Sequence, residues 1–166
     1  MTAPLEFDDA GELVEATLRR VGKRIVLATP LGIGKPNPLL NEIYRRVARE
    51  PALSLCVVTA LSPARPRAPN ALAARLLDPF VARVFGDYVE LDYVHALKER
   101  RLPDNVEIRE FFFEPGAWLG VDAAQRSYVS ANYTHVVRDL QALGVNVLAQ
   151  QIAVRSVPGG ANRSFS

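Results

Sequence analysis

The sequence predicts an α/β domain, a mainly parallel sheet with helices on its faces. Four short apolar runs, rich in β-branched residues, alternate with longer stretches of helical periodicity. The first two of these runs are joined by a glycine-containing loop and a helix, which is the pattern of a βαβ unit with parallel strands. The chain has 166 residues, of which 49% are hydrophobic and 23% charged, and this fits one packed domain.

The first element is a helix predicted over Ala10–Val21, whose apolar residues form one stripe. Asp9 followed by Glu12 resembles a capping box at its start. Gly22 can adopt a positive φ and is therefore expected to end the helix.

A βαβ unit is predicted next. A buried strand over Arg24–Thr29 leads into a glycine loop, after which Asn37 is the expected N-cap and Pro38 the first residue of a helix. Pro51 should end that helix, and a second buried strand is expected over Leu53–Thr59.

The remaining elements continue the alternation of helix and strand. The predicted helices begin at Asn70, with Pro79 separating a further piece over Phe80–Phe85, and then cover Asp92–Arg101, Ala123–Ser130 and His135–Leu143. The third and fourth strands are predicted over Val106–Phe113 and Val145–Val154. We expect residues 1–155 to form a partial α/β domain and residues 156–166 a loose polar tail, so that the chain stops inside a larger domain.

Composition argues against several classes of protein. The net charge is only +2 and the basic residues are dispersed, which gives no nucleic-acid groove. No apolar run approaches the ~20 residues that span a membrane, and we expect a cytoplasmic protein. The single Cys56, with only His95 and His135, makes a metal site within this chain improbable and an intrachain disulfide impossible.

The glycine loop is the first candidate binding site, because ligands of open α/β sheets bind beyond the carboxyl ends of the strands. Gly32 and Gly34 would let the backbone approach a ligand closely, although a simple tight turn between strand and helix has the same pattern. The spacing matches neither a dinucleotide fingerprint nor a P-loop. Lys35 could bind a phosphate or be a solvated loop lysine.

Other candidates carry alternatives of equal weight or more. Glu110 and Glu114 lie at the end of a strand and could serve as acid and base, but carboxylates on the rim of a sheet are commoner. Cys56 lies among apolar strand residues, as an inert core thiol does. His135 could face a ligand or cap a helix, and His95 is expected at the surface.

Two segments stand in register with the strand pattern: GIGKPNPLLNEIYRRV, residues 32–47, and SYVSANYTHVVRDLQALGVNVLAQQIAV, residues 127–154. Together they resemble the acetyl-CoA hydrolase/CoA-transferase family. The first is similar to the glycine loop and helix of that family's N-terminal domain, and the second to its Asn-Tyr loop, helix and following strand. The resemblance runs in order from about Gly22 to Val154.

This resemblance implies a CoA-transferase-like N-terminal domain in an enzyme of two similar α/β domains. Such enzymes move CoA between an acyl-CoA and a carboxylic acid, or hydrolyse the acyl-CoA with water, through a glutamate that forms a mixed anhydride and then a glutamyl-CoA thioester. The family's catalytic glutamate lies in the second domain, so no catalytic residue is assigned here. The implied substrate-binding residues are Gly32, Gly34, Lys35, Asn132, Tyr133 and His135.

We therefore expect the N-terminal part of an acyl-CoA hydrolase or CoA-transferase that is inactive alone, with CoA or acyl-CoA as a substrate and no bound cofactor. A fragment, a truncated gene or a subunit would each account for the chain's end. The alternative is a non-catalytic CoA- or nucleotide-binding module or docking subunit. An incomplete sheet would expose an edge and an apolar face, which favours a homo-oligomer or pairing with a missing catalytic half.

Overall fold

The computed structural model describes the backbone of residues 4–157 and 160–165 and the side chains of residues 4–32 and 34–155. Its main sheet has four parallel strands, in the order β3-β2-β1-β4. These strands are β1 (Arg24–Ala28), β2 (Ser54–Thr59), β3 (Val106–Glu110) and β4 (Val147–Leu148). The α/β class with a parallel sheet and helices beside it is therefore confirmed.

Six helices accompany the strands within the described residues. They are α1 (Ala10–Val21), α2 (Asn37–Ala48), α3 (Ala71–Phe85), α4 (Asp92–Lys98), α5 (Asp122–Arg126) and α6 (Val136–Ala142). Helix α1 packs on α2, α2 packs on α4, and α5 lies against β3.

Helix α1 has the bounds that the sequence predicts, because local signals set both of its ends. The Asp9 carboxylate accepts a hydrogen bond from the Glu12 N–H at 3.0 Å. Gly22, at φ 80°, donates its N–H to the carbonyl of Leu18 at 2.9 Å. The helix buries Val14 in the core.

The start of α2 differs from the prediction by one residue. Pro36 occupies the N-cap position without a side-chain bond, and Asn37 is already helical. The Asn37 amide instead donates to the distant Val89 carbonyl at 2.8 Å, so its expected capping role is wrong. The Asn37 side chain is buried, so its amide must find a hydrogen-bond partner in the interior, and the Val89 carbonyl supplies it.

Helix α3 is continuous, so the predicted break at Pro79 is wrong. Proline removes the hydrogen bond to the carbonyl of Arg75, but both residues are exposed and water can satisfy that carbonyl. The helix is capped by Asn70, whose side chain accepts from the Ala73 N–H at 2.9 Å. It exposes an apolar stripe with a spacing of four residues, made of Leu72, Leu76, Phe80 and Val84.

The core lies between the sheet and helices α1, α2 and α4. Strand β1 is buried at every position from Ile25 to Ala28, as a central strand should be. Strand β3 alternates, with Val106, Ile108 and Glu110 on the buried face. Among the largest fully buried side chains are Tyr93, Leu27, Leu40, Ile43, Leu55 and Leu91.

The end of the chain differs from the sequence-based expectation. In place of one strand over Val145–Val154, the main sheet contains only the two residues of β4. Strand β5 (Ile152–Val157) then pairs antiparallel with β6 (Gly160–Phe165) in a separate two-stranded sheet. This pairing occupies most of the segment expected to be a loose tail, of which residues 158, 159 and 166 lie outside the described part.

Within the described ranges, no helix is long and apolar enough to cross a membrane.

Candidate functional site

The strand order creates a topological switch point between β1 and β4. The chain leaves β1 toward β2 on one side, whereas β4 is added on the other side after β3. Loops after two such strands diverge and leave a crevice at the carboxyl edge, where ligands of open α/β sheets bind. A cleft of about 540 Å³ lies at this edge and touches both loops, at Gly32 and at Gln151. We call it the switch-point cleft.

The glycine loop forms one wall of the switch-point cleft. Gly32 has a φ of 71°, and a Cβ added there would meet no atom within 4 Å. The loop makes one 3-10 turn from Gly32 to Gly34, closed by the Lys35 N–H to the Gly32 carbonyl at 3.2 Å. The Gly34 carbonyl accepts from the Gln151 N–H at 2.8 Å. This hydrogen bond joins the loops after β1 and β4 next to Gly32, the residue with open space beside its Cα.

A second wall of the cleft is formed by three segments that hydrogen bonds hold together. Asn37, at the start of α2, donates to the Val89 carbonyl, while the Tyr88 hydroxyl donates to the Pro63 carbonyl at 2.9 Å. Burial raises the pKa of Tyr88, and a hydrogen bond from Asn37 acts in the opposite direction. The Oδ1 atom of Asn37 is buried without a partner among the described residues. The start of α2, the loop after β2 and the segment after α3 therefore form one wall.

Lys35 lies behind the glycine loop with its ammonium turned into the protein. Only 4% of the residue is exposed, so the interpretation as a solvated loop lysine is wrong. Its Nζ donates to the carbonyls of Ala60 and Leu61, at 3.1 and 3.0 Å. These carbonyls belong to the turn that directly follows β2, next to the cleft.

Glu110 ends β3 and is 2% exposed, so the interpretation as a rim carboxylate is wrong. Its Oε1 accepts from the Ser62 hydroxyl, and its Oε2 accepts from the Trp118 indole N–H at 3.1 Å. The Ser62 oxygen lies 2.6 Å from the Tyr93 hydroxyl. Because the Ser62 hydroxyl donates its hydrogen bond to the carboxylate, the Tyr93 hydroxyl acts as the donor to the Ser62 oxygen. Both carboxylate oxygens are thus occupied by protein donors.

Lys35 and Glu110 stabilise each other's charged form, but burial has the larger effect on both pKa values. Burial lowers the pKa of Lys35 to about 8, while the nearby Glu110 charge raises it. Burial raises the pKa of Glu110, against the opposing effects of Ser62, Lys35 and Trp118. For both groups the loss of water is the larger effect.

The second predicted loop lies elsewhere. Asn132, Tyr133 and His135 are exposed, and none of them lines the switch-point cleft. The Asn132 side chain accepts from the N–H groups of Thr134 and His135, at 3.0 and 3.2 Å, and so forms the turn that leads into α6. Tyr133 packs edge-on against Phe111, just beyond β3, with ring centroids 6.0 Å apart. His135 occupies the N-cap position of α6, but its side chain makes no capping hydrogen bond.

The other sequence candidates are separate from the cleft. Glu114 is exposed and lines a second, aromatic cleft of about 510 Å³ that extends from Phe112 to Tyr128. His95 is at the surface, with 41% of its side chain exposed, as predicted. Burial raises the pKa of the Cys56 thiol to about 11, which agrees with an inert thiol.

No family model, curated protein or solved structure matches the chain. Among residues 4–157 and 160–165, no three His, Cys, Asp or Glu side chains are grouped so that they could hold a metal ion.

Sequence reasoning missed the buried polar cluster made of Glu110, Ser62, Tyr93 and Trp118. One signal was available, since Glu110 falls in the same period-two register as Val106 and Ile108. An acidic residue on the buried face of a strand, at its carboxyl end, indicates a polar partner in the interior. Ser62, Tyr93 and Trp118 carried no local signal, because they meet only through the tertiary fold.

Proposed function

We propose that this chain contributes the acyl-CoA-binding cleft of an acyl-CoA hydrolase or CoA-transferase. The observation that carries the proposal is the open glycine at the switch point, where Gly32 lines a cleft of about 540 Å³ between the loops after β1 and β4. The resemblance of residues 32–47 to that family's glycine loop agrees with this position. The ligand would be CoA or an acyl-CoA.

The glycine loop would act through its backbone. With no side chain at Gly32, an acyl thioester could approach the main chain, and N–H groups of the loop could donate to its carbonyl oxygen. Asn37 and Gln151 would supply polar contacts farther along the cleft. An elongated ligand with alternating amide and apolar groups, such as the pantetheine arm of CoA, suits a cleft lined by amides, Pro38, Pro63 and Val84.

Covalent chemistry would need a glutamate from outside this chain. No glutamate is among the described residues that line the switch-point cleft. Glu110 is buried, with both carboxylate oxygens hydrogen-bonded, and Glu114 lines the aromatic cleft. We therefore propose that the chain binds acyl-CoA without turning it over and that a second domain or subunit supplies the nucleophile.

The same lack of a glutamate in the described lining favours a second candidate, a CoA- or nucleotide-binding module with no catalytic role. The two candidates differ in what they recognise. A cleft that holds the acyl group should distinguish acetyl-CoA from CoA, whereas a nucleotide-binding module should bind ADP about as well as either.

Isothermal titration calorimetry of the purified chain with acetyl-CoA, CoA and ADP tests both candidates. The proposed function predicts saturable binding that is tighter for acetyl-CoA than for CoA, weaker binding of ADP, and no release of free thiol from acetyl-CoA. Equal binding of all three ligands would favour the nucleotide-binding module. Thiol release that is lost on mutation of one of the chain's own glutamates would contradict the assignment of the nucleophile to another segment.

A further inference from the structure

We propose that Lys35 and Glu110 are positioning residues that hold the turn after β2, residues 60–63, in the place where it forms part of the switch-point cleft. The effect of these two residues on ligand binding rests on the proposed function. Their effect on the position of the turn does not.

The turn contains an unfavourable backbone conformation that needs support. Leu61 has a φ of 49°, in the left-handed region that residues with a Cβ seldom adopt. Its N–H donates to the Phe112 carbonyl at 2.9 Å, and its own carbonyl accepts from Lys35. The Ala60 carbonyl also accepts from Lys35, so one ammonium binds both carbonyls that flank the strained residue.

Glu110 holds the following residue. Its carboxylate accepts from Ser62, which is also bonded to Tyr93 of α4, and its other oxygen is held by Trp118. The position of the Ser62 side chain is therefore fixed by groups from β3, from α4 and from the segment after β3.

The turn then reaches the cleft itself. Pro63, directly after Ser62, lines the switch-point cleft and accepts the hydrogen bond of the Tyr88 hydroxyl, which belongs to the same wall. Lys35 belongs to the glycine loop and also lines the cleft. A displacement of residues 60–63 would therefore move one wall of the cleft relative to the glycine loop.

The contacts of Lys35 differ from those of a lysine that binds a ligand phosphate. The Lys35 ammonium already has two carbonyl acceptors and interacts electrostatically with Glu110, and only 4% of the residue is exposed. Lys35 acts on a ligand through the turn that it holds.

The test measures amide hydrogen exchange at Leu61, whose N–H is bonded to the Phe112 carbonyl, in Lys35→Met and Glu110→Gln variants of the whole chain. Lys23→Met and Glu114→Gln are matched controls, because both residues are exposed. We expect exchange at Leu61 to accelerate at least tenfold in the two test variants relative to α1 amides of the same sample. Unchanged exchange at Leu61 would overturn the proposal.

A second measurement separates this inference from the proposed function. In Lys35→Met the Kd for CoA should rise at least tenfold, while Lys23→Met should match the wild type. If the wild type binds no CoA, the proposed function fails, and hydrogen exchange alone then decides the positioning role. If CoA binds equally well to Lys35→Met, the turn does not position the cleft and the inference fails.

Either charge variant could unfold the chain by leaving its partner charge buried alone. The Lys35→Met/Glu110→Gln double variant removes both charges, and Ser62→Ala removes the bond to Glu110 while keeping both. Accelerated exchange at Leu61 in either variant supports the proposal, and unchanged exchange in both overturns it.

Discussion

The side-chain amide of Asn146 pairs with the backbone of β1 beside Val26, as the backbone of a neighbouring strand would. Its Oδ1 accepts from the Val26 N–H at 2.9 Å, and its Nδ2 donates to the Arg24 carbonyl at 2.9 Å. Its backbone N–H donates to the Val26 carbonyl at 3.0 Å. Asn146 thus extends the pairing of the two-residue strand β4 along β1 and stabilises the strand order that creates the switch point.

Replacing Asn146 with alanine should lower the free energy of unfolding by about 1–3 kcal/mol, because the N–H of the buried Val26 loses its acceptor. Urea unfolding followed by circular dichroism measures the change. A variant as stable as the wild type would show that water replaces the side chain and that β4 is held by other contacts.

Gly32→Ala should weaken CoA binding at least tenfold, because the added methyl group would occupy the open side of the glycine loop. Gly144→Ala is its matched control. Gly32 and Gly144 have φ values of 71° and 72°, and neither would have an atom within 4 Å of the new Cβ. Both substitutions should therefore cost about 1–2 kcal/mol of stability. Calorimetric titration that finds equal losses of affinity in the two variants would contradict a role for Gly32 at the ligand.

Glu110 should make stability fall as the pH rises through its native pKa. Burial raises that pKa above the ordinary value of 4.5, so the native state holds the proton at pH values where the unfolded chain has released it. The stabilisation is full below the unfolded pKa and is lost as the pH rises through the native pKa. Glu110→Gln should remove this slope, whereas the exposed Glu114→Gln should keep it.

Urea unfolding at a series of pH values measures the effect of Glu110, and fluorescence gives an independent readout. Trp118 is the single tryptophan and donates directly to Glu110, so its emission should titrate with this carboxyl group. An emission profile that titrates identically in Glu110→Gln would contradict the assignment.

Two leucines of opposite exposure test the position of the core. Leu40 is 0% exposed and Leu76 is 84% exposed. Leu40→Ala should cost about 2–5 kcal/mol through lost burial and a new cavity, while Leu76→Ala should change stability by less than about 0.5 kcal/mol. A large loss for Leu76→Ala, measured by thermal unfolding at several protein concentrations, would show that the exposed stripe of α3 is covered by another molecule.

Local signals predicted the elements whose ends they determine. Helix α1 has an amphipathic stripe, a capping aspartate and a terminal glycine, and each acts within a few residues. The β1–α2–β2 unit was predictable from its apolar periodicity, but the expected local cap of α2 was wrong because Asn37 bonds the distant Val89 carbonyl. Pro79 was misleading because a proline on an exposed helix face costs less than its general effect suggests.

The site was predictable only in part. The position of Gly32 at a strand end was visible in the sequence, but the partners of Lys35 lie 25 and 26 residues away along the chain. Glu110 and Ser62 are 48 residues apart. Such contacts are decided by the strand order, which alternation of elements does not specify. The fourth strand is short for a related reason: the side chain of Asn146 replaces backbone pairing at its start, and from Ile152 the chain pairs with β6 in the second sheet.

The most direct test of the central claim is a titration of the ¹⁵N-labelled chain with CoA, followed by amide chemical shifts. The account predicts that the largest shifts lie at Gly32, Gly34, Gln151 and the side-chain amide of Asn37, with Gly144 unmoved. Saturable shifts confined to the aromatic cleft between Phe112 and Tyr128, or no shifts at a CoA concentration of several millimolar, would contradict it.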